Sequence, residues 1–192
     1  MDLKDLIVEI VDEFDLLKQE NLNKKVNTLI DLLIEKNDIQ SKIFVYGAGR
    51  SGFIGRGFVI RLVQSGFKAF FIGESSTPPM NRDDLLILLS GSGKTDIVKK
   101  ILSISKDNGL VIILITSHEE HKLFNIDQTI AVEGKTKTDT YNSSLPLGSY
   151  FELNAFIFLE CLISKLITKS THAKESMDRV AKKYRENKLV VN

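Results

Sequence analysis

The sequence predicts an α/β fold built on an open parallel sheet, and two observations lead to this prediction. Short β-rich runs alternate with helical runs through the middle of the chain, a rhythm that implies right-handed crossovers between parallel strands. The runs 84–90 and 110–116 are almost continuously apolar, as strands covered on both faces are. The length of 192 residues is within the range of one domain, and the hydrophobic fraction of 43% is sufficient for a core.

Apolar periodicity predicts the individual elements. Residues 2–37 have apolar side chains at helical spacing and predict two N-terminal helices. The remaining elements are strands at 42–46, 68–73, 84–90, 110–116 and 128–132, helices at 52–65, 95–107, 147–167 and 172–186, and a polar, irregular segment at 136–144. We therefore expect one domain over residues 1–192, made of N-terminal helices (1–37), a parallel α/β core (42–132) and C-terminal helices (147–187).

Composition excludes several functional classes. A formal net charge of +1 does not supply the broad basic field of a nucleic-acid-binding protein. No apolar run approaches the roughly 20 residues that cross a bilayer, and the charged N-terminus has no signal-peptide core. Cys161 is the only cysteine, so an intramolecular disulfide is impossible, which fits a reducing cytoplasm. Its position in an apolar helical run predicts a buried thiol.

The first of two glycine-rich loops runs from Gly47 to Gly52 and reads Gly-Ala-Gly-Arg-Ser-Gly. It follows a predicted strand, opens a predicted helix, and has Glu74 about twenty residues further on, which is the context of a dinucleotide-binding fingerprint. Two further interpretations remain open at this point. The loop could contribute to a sugar-phosphate site, or its glycines could serve only a tight turn between strand and helix.

The second loop, Ser90 to Thr95, reads Ser-Gly-Ser-Gly-Lys-Thr and also lies between a strand and a helix. Gly91 and Gly93 let the backbone approach an anion, while Ser90, Ser92 and Thr95 offer hydroxyl groups. The free N–H groups and the positive dipole end of the following helix point to the same place. The loop is not a Walker A motif, because position 88 is a leucine where that motif requires glycine. We interpret it as a phosphate-binding loop; the alternative is a serine-rich turn with Thr95 as helix cap.

Several runs together resemble one known family. They are Gly47 to Arg56 (Gly-Ala-Gly-Arg-Ser-Gly-Phe-Ile-Gly-Arg), Gly66 to Lys68, Gly73 to Pro78 (Gly-Glu-Ser-Ser-Thr-Pro), Asp84 to Ile87, Ser90 to Thr95, and Leu145 to Glu152 (Leu-Pro-Leu-Gly-Ser-Tyr-Phe-Glu). This combination resembles the 6-phospho-3-hexuloisomerase branch of the sugar isomerase (SIS) domain family. The resemblance extends from about residue 42 to 166 and more loosely over the N-terminal helices.

The resemblance implies a three-layer fold with a five-stranded parallel sheet flanked by helices, in a flavodoxin-like or Rossmann-like topology. It implies reversible isomerisation of 3-hexulose 6-phosphate and fructose 6-phosphate through an enediol, with no organic cofactor and no metal. Members usually form homodimers or homotetramers and act beside a hexulose-phosphate synthase, in the ribulose monophosphate pathway of formaldehyde fixation. Two alternatives remain: a non-catalytic sugar-phosphate-binding regulator, and an isomerase of another sugar phosphate.

Moving a carbonyl between neighbouring carbons requires a base and a group that stabilises the enediolate oxygen. The resemblance places the base at Glu152, in the first turn of the helix after a proline-glycine turn; the alternative is a carboxylate that pairs with the helix dipole. Arg50 is expected to hold a sugar hydroxyl, the phosphate or the enediolate, or else to form a surface ion pair.

The expected ligand contacts are Gly49, Ser51, Glu74, Thr77, Ser90, Gly91, Ser92, Gly93 and Thr95. Glu74 would orient sugar hydroxyls or pair with Arg50 or Lys94. Relatives often offer a C-terminal histidine to a neighbouring subunit, but residues 183–189 contain none. Of the remaining histidines, His118 and His121 are expected on a solvated face, and His172 at a helix start.

Overall fold

A computed structural model describes residues 2–12, 22–118, 123, 126–132, 134 and 145–186. These residues form the following elements: α1 (Leu3–Asp12), α2 (Leu22–Asp38), β1 (Ile43–Gly47), α3 (Arg50–Gln64), β2 (Ala69–Phe71), β3 (Leu85–Leu89), α4 (Asp96–Asp107), β4 (Val111–Thr116), β5 (Gln128–Ala131), α5 (Ser149–Lys169) and α6 (Thr171–Arg185). Each predicted helix and strand has a counterpart within a few residues of its expected bounds. The predicted irregular segment 136–144 lies outside the described residues.

The five strands form one sheet in the order β2-β1-β3-β4-β5, and every neighbouring pair is parallel. The predicted α/β fold with a five-stranded parallel sheet is therefore confirmed. In this order the chain goes from β1 to the edge strand β2, and then returns past β1 to add β3, β4 and β5 on the other side. The point of reversal lies between β1 and β3, and ligands of open parallel sheets bind beyond the carboxyl ends of the strands at such a point.

Apolar side chains cover both faces of the sheet. Alternate residues of a strand point to opposite faces, so Val45 and Ile87 contribute to one core while Phe44 and Leu86 contribute to the other. Helices α2, α3, α5 and α6 bury their apolar residues in the first core, and α4 covers the second. Full burial of one such side chain contributes about 1.5–3 kcal/mol, so this double covering holds the strand ends in fixed positions.

The expectation that Cys161 is buried is wrong, because the structure places this residue of α5 at the surface. The run 156–162 is apolar except for Glu160, but only one side of a helix can face the sheet. Phe158 and Leu162 occupy the buried side, while Phe156 and Cys161 lie on the outer side. In the part of the chain that the structure describes, no helix has the length and hydropathy needed to cross a membrane.

Candidate functional site

Three helices begin at one cavity beyond the carboxyl ends of the strands. The N-cap residues of α3, α4 and α5 are Gly49, Thr95 and Gly148, and all three line this cavity of about 210 Å³. Its other lining residues are Ala48, Ser51, Leu89, Ser90, Gly91, Ser92, Leu147, Phe151 and Glu152. The first turn of a helix has free N–H groups and a partial positive charge. The convergence of three such ends makes the cavity suited to an anion such as phosphate.

The loop between β1 and α3 requires glycine for close packing. A Cβ atom on Gly52 would lie 2.5 Å from the Gly47 carbonyl oxygen, and Gly49 has a φ of 59°, a left-handed conformation that L side chains rarely adopt. The Gly52 N–H donates to the Gly49 carbonyl at 3.0 Å and closes the turn. This tight turn places Gly49 and Ser51 against the cavity, as expected for ligand contacts.

The predicted phosphate loop between β3 and α4 is stabilised by its own hydroxyl groups. Ser90 Oγ accepts a hydrogen bond from the Gly93 N–H at 3.2 Å, and Ser92 Oγ accepts one from the Lys94 N–H at 3.3 Å. Thr95 stands at the N-cap of α4, but within the described part of the chain its side chain makes no capping hydrogen bond. The interpretation of Thr95 as an ordinary helix cap therefore has no support, and its hydroxyl is available at the cavity wall.

The charged side chains near the start of α4 do not cancel the partial positive charge at that end of the helix. Asp96 lies in the first turn and is exposed, and Lys99 Nζ donates to its Oδ1 at 2.9 Å. This hydrogen bond and the charge of Lys99 lower the pKa of the Asp96 carboxyl. Lys99 thus balances the negative charge that would otherwise oppose an anion at the loop.

Glu152 and Arg50 form the charged pair of the site. Glu152 lies in the first turn of α5 and is only 6% exposed, and it lines the cavity. Arg50 Nε donates a hydrogen bond to Glu152 Oε2, while the arginine side chain as a whole is 66% exposed. The structure therefore brings together the two predicted catalytic residues. The buried carboxylate is oriented by a guanidinium that still has N–H groups available to a ligand.

A strained turn directs the start of α5 at the cavity. Leu147 and Gly148 both have left-handed backbone angles, with φ of 50° and 83°. Ser149 Oγ donates to the Pro146 carbonyl at 2.7 Å and fixes this turn. A non-glycine residue in the left-handed region costs about 1–3 kcal/mol, and such strain is concentrated at functional sites. Here it holds Glu152 in the wall of the cavity, opposite the predicted phosphate loop.

Other predicted residues lie outside the cavity wall. Of the two roles expected for Glu74, the pairing with Arg50 or Lys94 is wrong, because Glu74 pairs with Arg56, with 2.7 Å between Oε1 and Nε. Arg56 lies further along α3 than Arg50 and therefore reaches the segment after β2 that holds Glu74. Thr77 Oγ1 donates to the Phe71 carbonyl at 2.7 Å. The Gly93 N–H bonds within the phosphate loop.

The two histidines that the structure describes, His118 and His172, are not among the residues that line the cavity. His118 is exposed, and His172 Nε2 lies 3.3 Å from the Gly66 carbonyl oxygen, beyond the C-terminal end of α3. His121 lies outside the described residues. Within the described ranges, no three His, Cys, Asp or Glu side chains are grouped as a metal site requires.

Sequence reasoning missed the apolar part of the cavity wall, formed by Ala48, Leu89, Leu147 and Phe151. Phe151 closes one side: a Cβ atom on Gly91 would lie 2.9 Å from its Cδ1 atom, so the ring packs directly on the loop. The position of Phe151 next to Glu152 was a hint in the sequence, but an aromatic residue at the start of a buried helix usually packs in the core. Only the folded structure shows that its ring forms part of the cavity wall.

Comparison with known proteins shows the family to which this fold belongs. Residues 39–145 match the family model of the SIS domain, and the chain belongs to this family. It is similar to the 3-hexulose-6-phosphate isomerase of Methanocaldococcus jannaschii, with 39% identity over 152 residues that cover 79% of this chain and 82% of the relative. The 3-hexulose-6-phosphate isomerase of Bacillus subtilis is 31% identical over 92% of this chain and 96% of its own.

A solved structure supports the same assignment to a family. It is a protein of Methanococcus jannaschii whose structure was described as inferring a molecular function of 3-hexulose-6-phosphate isomerase. Its TM-score with this chain is 0.75 at 34% sequence identity, and the match covers 92% of this chain and 95% of that one.

Proposed function

We propose that this protein is a 3-hexulose-6-phosphate isomerase that interconverts 3-hexulose 6-phosphate and fructose 6-phosphate. One observation carries the proposal: a cavity in which the buried carboxylate of Glu152 shares the wall with the hydroxyl-rich loop Ser90 to Thr95. The loop suits a phosphate, and the carboxylate suits proton transfer on the sugar. The relatives of the same name support the choice of substrate.

The phosphate is proposed to bind where the helix ends converge. Ser51, Ser90, Ser92 and Thr95 offer hydroxyl groups there, and the start of α4 offers backbone N–H groups. The contribution of this grip to catalysis is positional, because it holds the reacting carbons against the base and removes no proton itself. Gly49 leaves room for the ligand to approach the backbone, because within the described part of the chain no heavy atom lies within 4 Å of the position that its Cβ atom would take.

Glu152 is proposed to transfer the proton. In 3-hexulose 6-phosphate the carbonyl is at C3, and the base removes the proton from C2 to give a 2,3-enediolate. Return of the proton to C3, with loss of the hydroxyl proton from O2 and protonation of O3, leaves the carbonyl at C2, which is fructose 6-phosphate. No atom is gained or lost: Glu152 accepts and returns the carbon-bound proton, and one hydroxyl proton passes from O2 to O3.

Arg50 is proposed to stabilise the enediolate oxygen. Its Nε holds Glu152, and the exposed remainder of the guanidinium can donate to the oxygen that becomes negative. Glu74 and Thr77, which bond to other protein groups, are proposed to act on the ligand only indirectly, by holding the segment after β2.

The first prediction is turnover in a coupled assay. The protein is incubated with fructose 6-phosphate and a hexulose-phosphate synthase, and release of ribulose 5-phosphate is followed. We expect turnover with fructose 6-phosphate and none with fructose, because the phosphate grip positions the sugar. Arabinose 5-phosphate, supplied alone, tests an isomerase of another sugar phosphate.

Each alternative has its own outcome. Binding of fructose 6-phosphate without turnover, with the synthase shown to be active, would establish the regulator instead. Tight binding of NAD in a fluorescence titration would favour the dinucleotide site at Gly47 to Gly52. Neither result is compatible with the proposed activity.

We also propose that the protein is a homo-oligomer. Neighbouring helices α3 and α5 are joined by the ion pair of Arg61 and Glu160, with 3.0 Å between Nε and Oε1. Their outer sides carry exposed large apolar residues: Phe53, Ile60, Val63, Leu153, Phe156 and Ile157. An apolar surface of this kind is typical of a contact between subunits, and a second copy of the chain is the partner that symmetry favours.

The second prediction tests this surface by sedimentation. Ile60→Asp places a charge in the proposed contact and is expected to convert the oligomer to a monomer. Ile104→Asp is the matched control, because Ile104 is similarly exposed, 45% against 58%, but lies on α4 at the opposite face of the sheet. A wild-type monomer, or equal sedimentation of all three proteins, would contradict the proposed surface.

We further propose a cytoplasmic location and functional coupling to a hexulose-phosphate synthase. An exposed single thiol suits a reducing cytoplasm. Functional coupling to a hexulose-phosphate synthase follows from chemistry, since an enzyme that joins formaldehyde to ribulose 5-phosphate makes the 3-hexulose 6-phosphate that this protein would consume.

A further inference from the structure

One carbonyl in the phosphate loop is held by an unusual number of donors. The Gly91 carbonyl oxygen accepts hydrogen bonds from Thr116 Oγ1 at 2.9 Å, from Ser117 Oγ at 2.6 Å and from the Ser117 N–H at 3.1 Å. Thr116 and Ser117, at the end of β4, are 1% and 3% exposed. Neither side chain lines the cavity, so the proposed ligand contacts do not explain these hydroxyl groups.

Because the peptide bond is planar, the donors that hold the Gly91 carbonyl also determine the direction of the next N–H group. The Gly91 carbonyl and the Ser92 N–H belong to the same planar trans peptide, so they point in opposite directions. The donors at the end of β4 fix the carbonyl direction and thereby fix the direction of the Ser92 N–H. Among the described residues this N–H has no hydrogen-bond partner.

The strand order shows where the fixed N–H points. Strand β3 lies between β1 and β4, so the ends of β1 and β4 are on opposite sides of the loop that follows β3. A carbonyl that points to β4 therefore directs the Ser92 N–H towards the side of β1. The cavity lies on that side, because Ala48, Gly49 and Ser51, which follow β1, form part of its wall.

We propose that Thr116 and Ser117 are positioning residues of the phosphate site: they hold the Gly91 carbonyl so that the Ser92 N–H is directed at the bound phosphate. The inference rests on the proposed phosphate site but does not depend on the isomerisation step. The Phe151 ring also packs on Gly91.

The test uses the double variant Thr116→Val/Ser117→Ala, which removes both hydroxyl groups with little change in side-chain volume. The dissociation constants of inorganic phosphate and fructose 6-phosphate are measured by calorimetry. Loss of one ordinary hydrogen bond weakens an interaction by about two- to tenfold, so we expect the double variant to bind both ligands about 10- to 50-fold more weakly. The value of kcat at saturating substrate is expected to change by less than about twofold, because the proton-transfer residues are untouched.

A spectroscopic readout separates orientation from general destabilisation. In the wild type, phosphate is expected to shift the amide proton resonance of Ser92 downfield, and the double variant is expected to lose this shift. The conservative variants Thr116→Ser and Ser117→Thr keep the hydroxyl groups and should retain affinity. Ser105→Ala is the matched control, because Ser105 is a buried serine that donates to Met80 Sδ, outside the cavity wall.

The outcomes distinguish this inference from the proposed function. If the wild type binds phosphate and the double variant binds it equally well, the positioning role is overturned while the site remains. If the Ser92 resonance does not respond in a wild type that binds phosphate, the role is likewise overturned. If the wild type binds no phosphate at all, the phosphate site and this inference fail together. Retained phosphate binding in a protein without isomerase activity refutes only the proposed reaction.

Discussion

Replacement of Glu152 by glutamine is expected to lower kcat by about 10²- to 10⁴-fold, the range that a positioned general acid or base contributes. Glutamine has nearly the same shape, and its side-chain oxygen can still accept the hydrogen bond from Arg50 Nε. The fold of the turn before α5 and the phosphate loop should therefore be unchanged. What is lost is a side chain able to take a proton from the sugar carbon.

Three measurements check this result. The coupled assay gives kcat, calorimetry gives the dissociation constant of fructose 6-phosphate, and incubation in D₂O shows whether solvent deuterium enters C3 of that sugar. We expect turnover and deuterium exchange to fall together, while the dissociation constant changes by less than about threefold. This pattern is the signature of a group that acts in the transition state and contributes little to ground-state binding.

Helix α5 offers a matched control in Glu160. It lies two turns after Glu152 on the same helix and also pairs with an arginine of α3, Arg61, at 3.0 Å. Glu160→Gln makes the same chemical change in a partly exposed ion pair outside the cavity, where a loss of about 0–1 kcal/mol is typical. It should leave kcat unchanged. Full turnover by Glu152→Gln, or equal losses in the two variants, would remove Glu152 from the proposed mechanism.

The fold could be predicted from the sequence because its strongest signals are local. The apolar runs that became β3 and β4 are buried along almost their whole length, and the runs between them have helical period. The proposed phosphate loop could be recognised as a candidate for the same reason, since its glycines, hydroxyl groups and helix start are adjacent in the chain. Local patterns of this kind do not depend on which parts of the chain later meet.

The side-chain contacts in and near the site were harder to predict, because they join residues that are far apart in the sequence. Arg50 and Glu152 are 102 positions apart, and only the packing of α3 beside α5 brings them together. Glu74 bonds to Arg56 because helical geometry places that side chain over the end of β2, a detail that spacing alone does not give. The role inferred for Thr116 and Ser117 depends on β4 lying next to β3.

Cys161 shows a different limit of prediction from the sequence. The run 156–162 around it is apolar except for Glu160, and this apolar composition led to the prediction of a buried thiol. The exposed side of that helix is the one we propose to be covered by a second copy of the chain. The apolar residues around Cys161 therefore predicted burial wrongly for the single chain.

Gly52→Ala is expected to produce the largest loss of stability among single-methyl changes in α3. The added Cβ atom would lie 2.5 Å from the Gly47 carbonyl oxygen, and neither can rotate away, because the backbone fixes the position of the Cβ atom and the oxygen is itself a backbone atom. The helix must move from the strand, and overpacking of this kind costs about 1–3 kcal/mol. For a chain of this size about 2 kcal/mol lowers Tm by roughly 4–8 °C.

The same helix contains the control. Among the residues that the structure describes, no heavy atom lies within 4 Å of the position that a Cβ atom on Gly57 would take. Gly57 is also in the interior of α3, so Gly57→Ala adds a better helix former without a clash. Because Gly57 shares the outer side of α3 with Phe53 and Ile60, both variants are made in the Ile60→Asp background, and there Gly57→Ala is expected to stabilise the chain by about 0.4–1 kcal/mol. Thermal and urea unfolding of both variants, measured at equal protein concentration, should therefore give changes of opposite sign.

The two variants also separate stability from function. Movement of α3 away from β1 would carry Gly49 and Ser51 from the cavity wall, so Gly52→Ala should weaken phosphate binding as well as folding. Gly57→Ala should leave the dissociation constant unchanged, because it lies further along the helix and outside the cavity wall. Equal unfolding free energies for the two variants would show that the loop after β1 has more room than its geometry indicates. The glycines of that loop would then serve the ligand and not the packing of the helix on the strand.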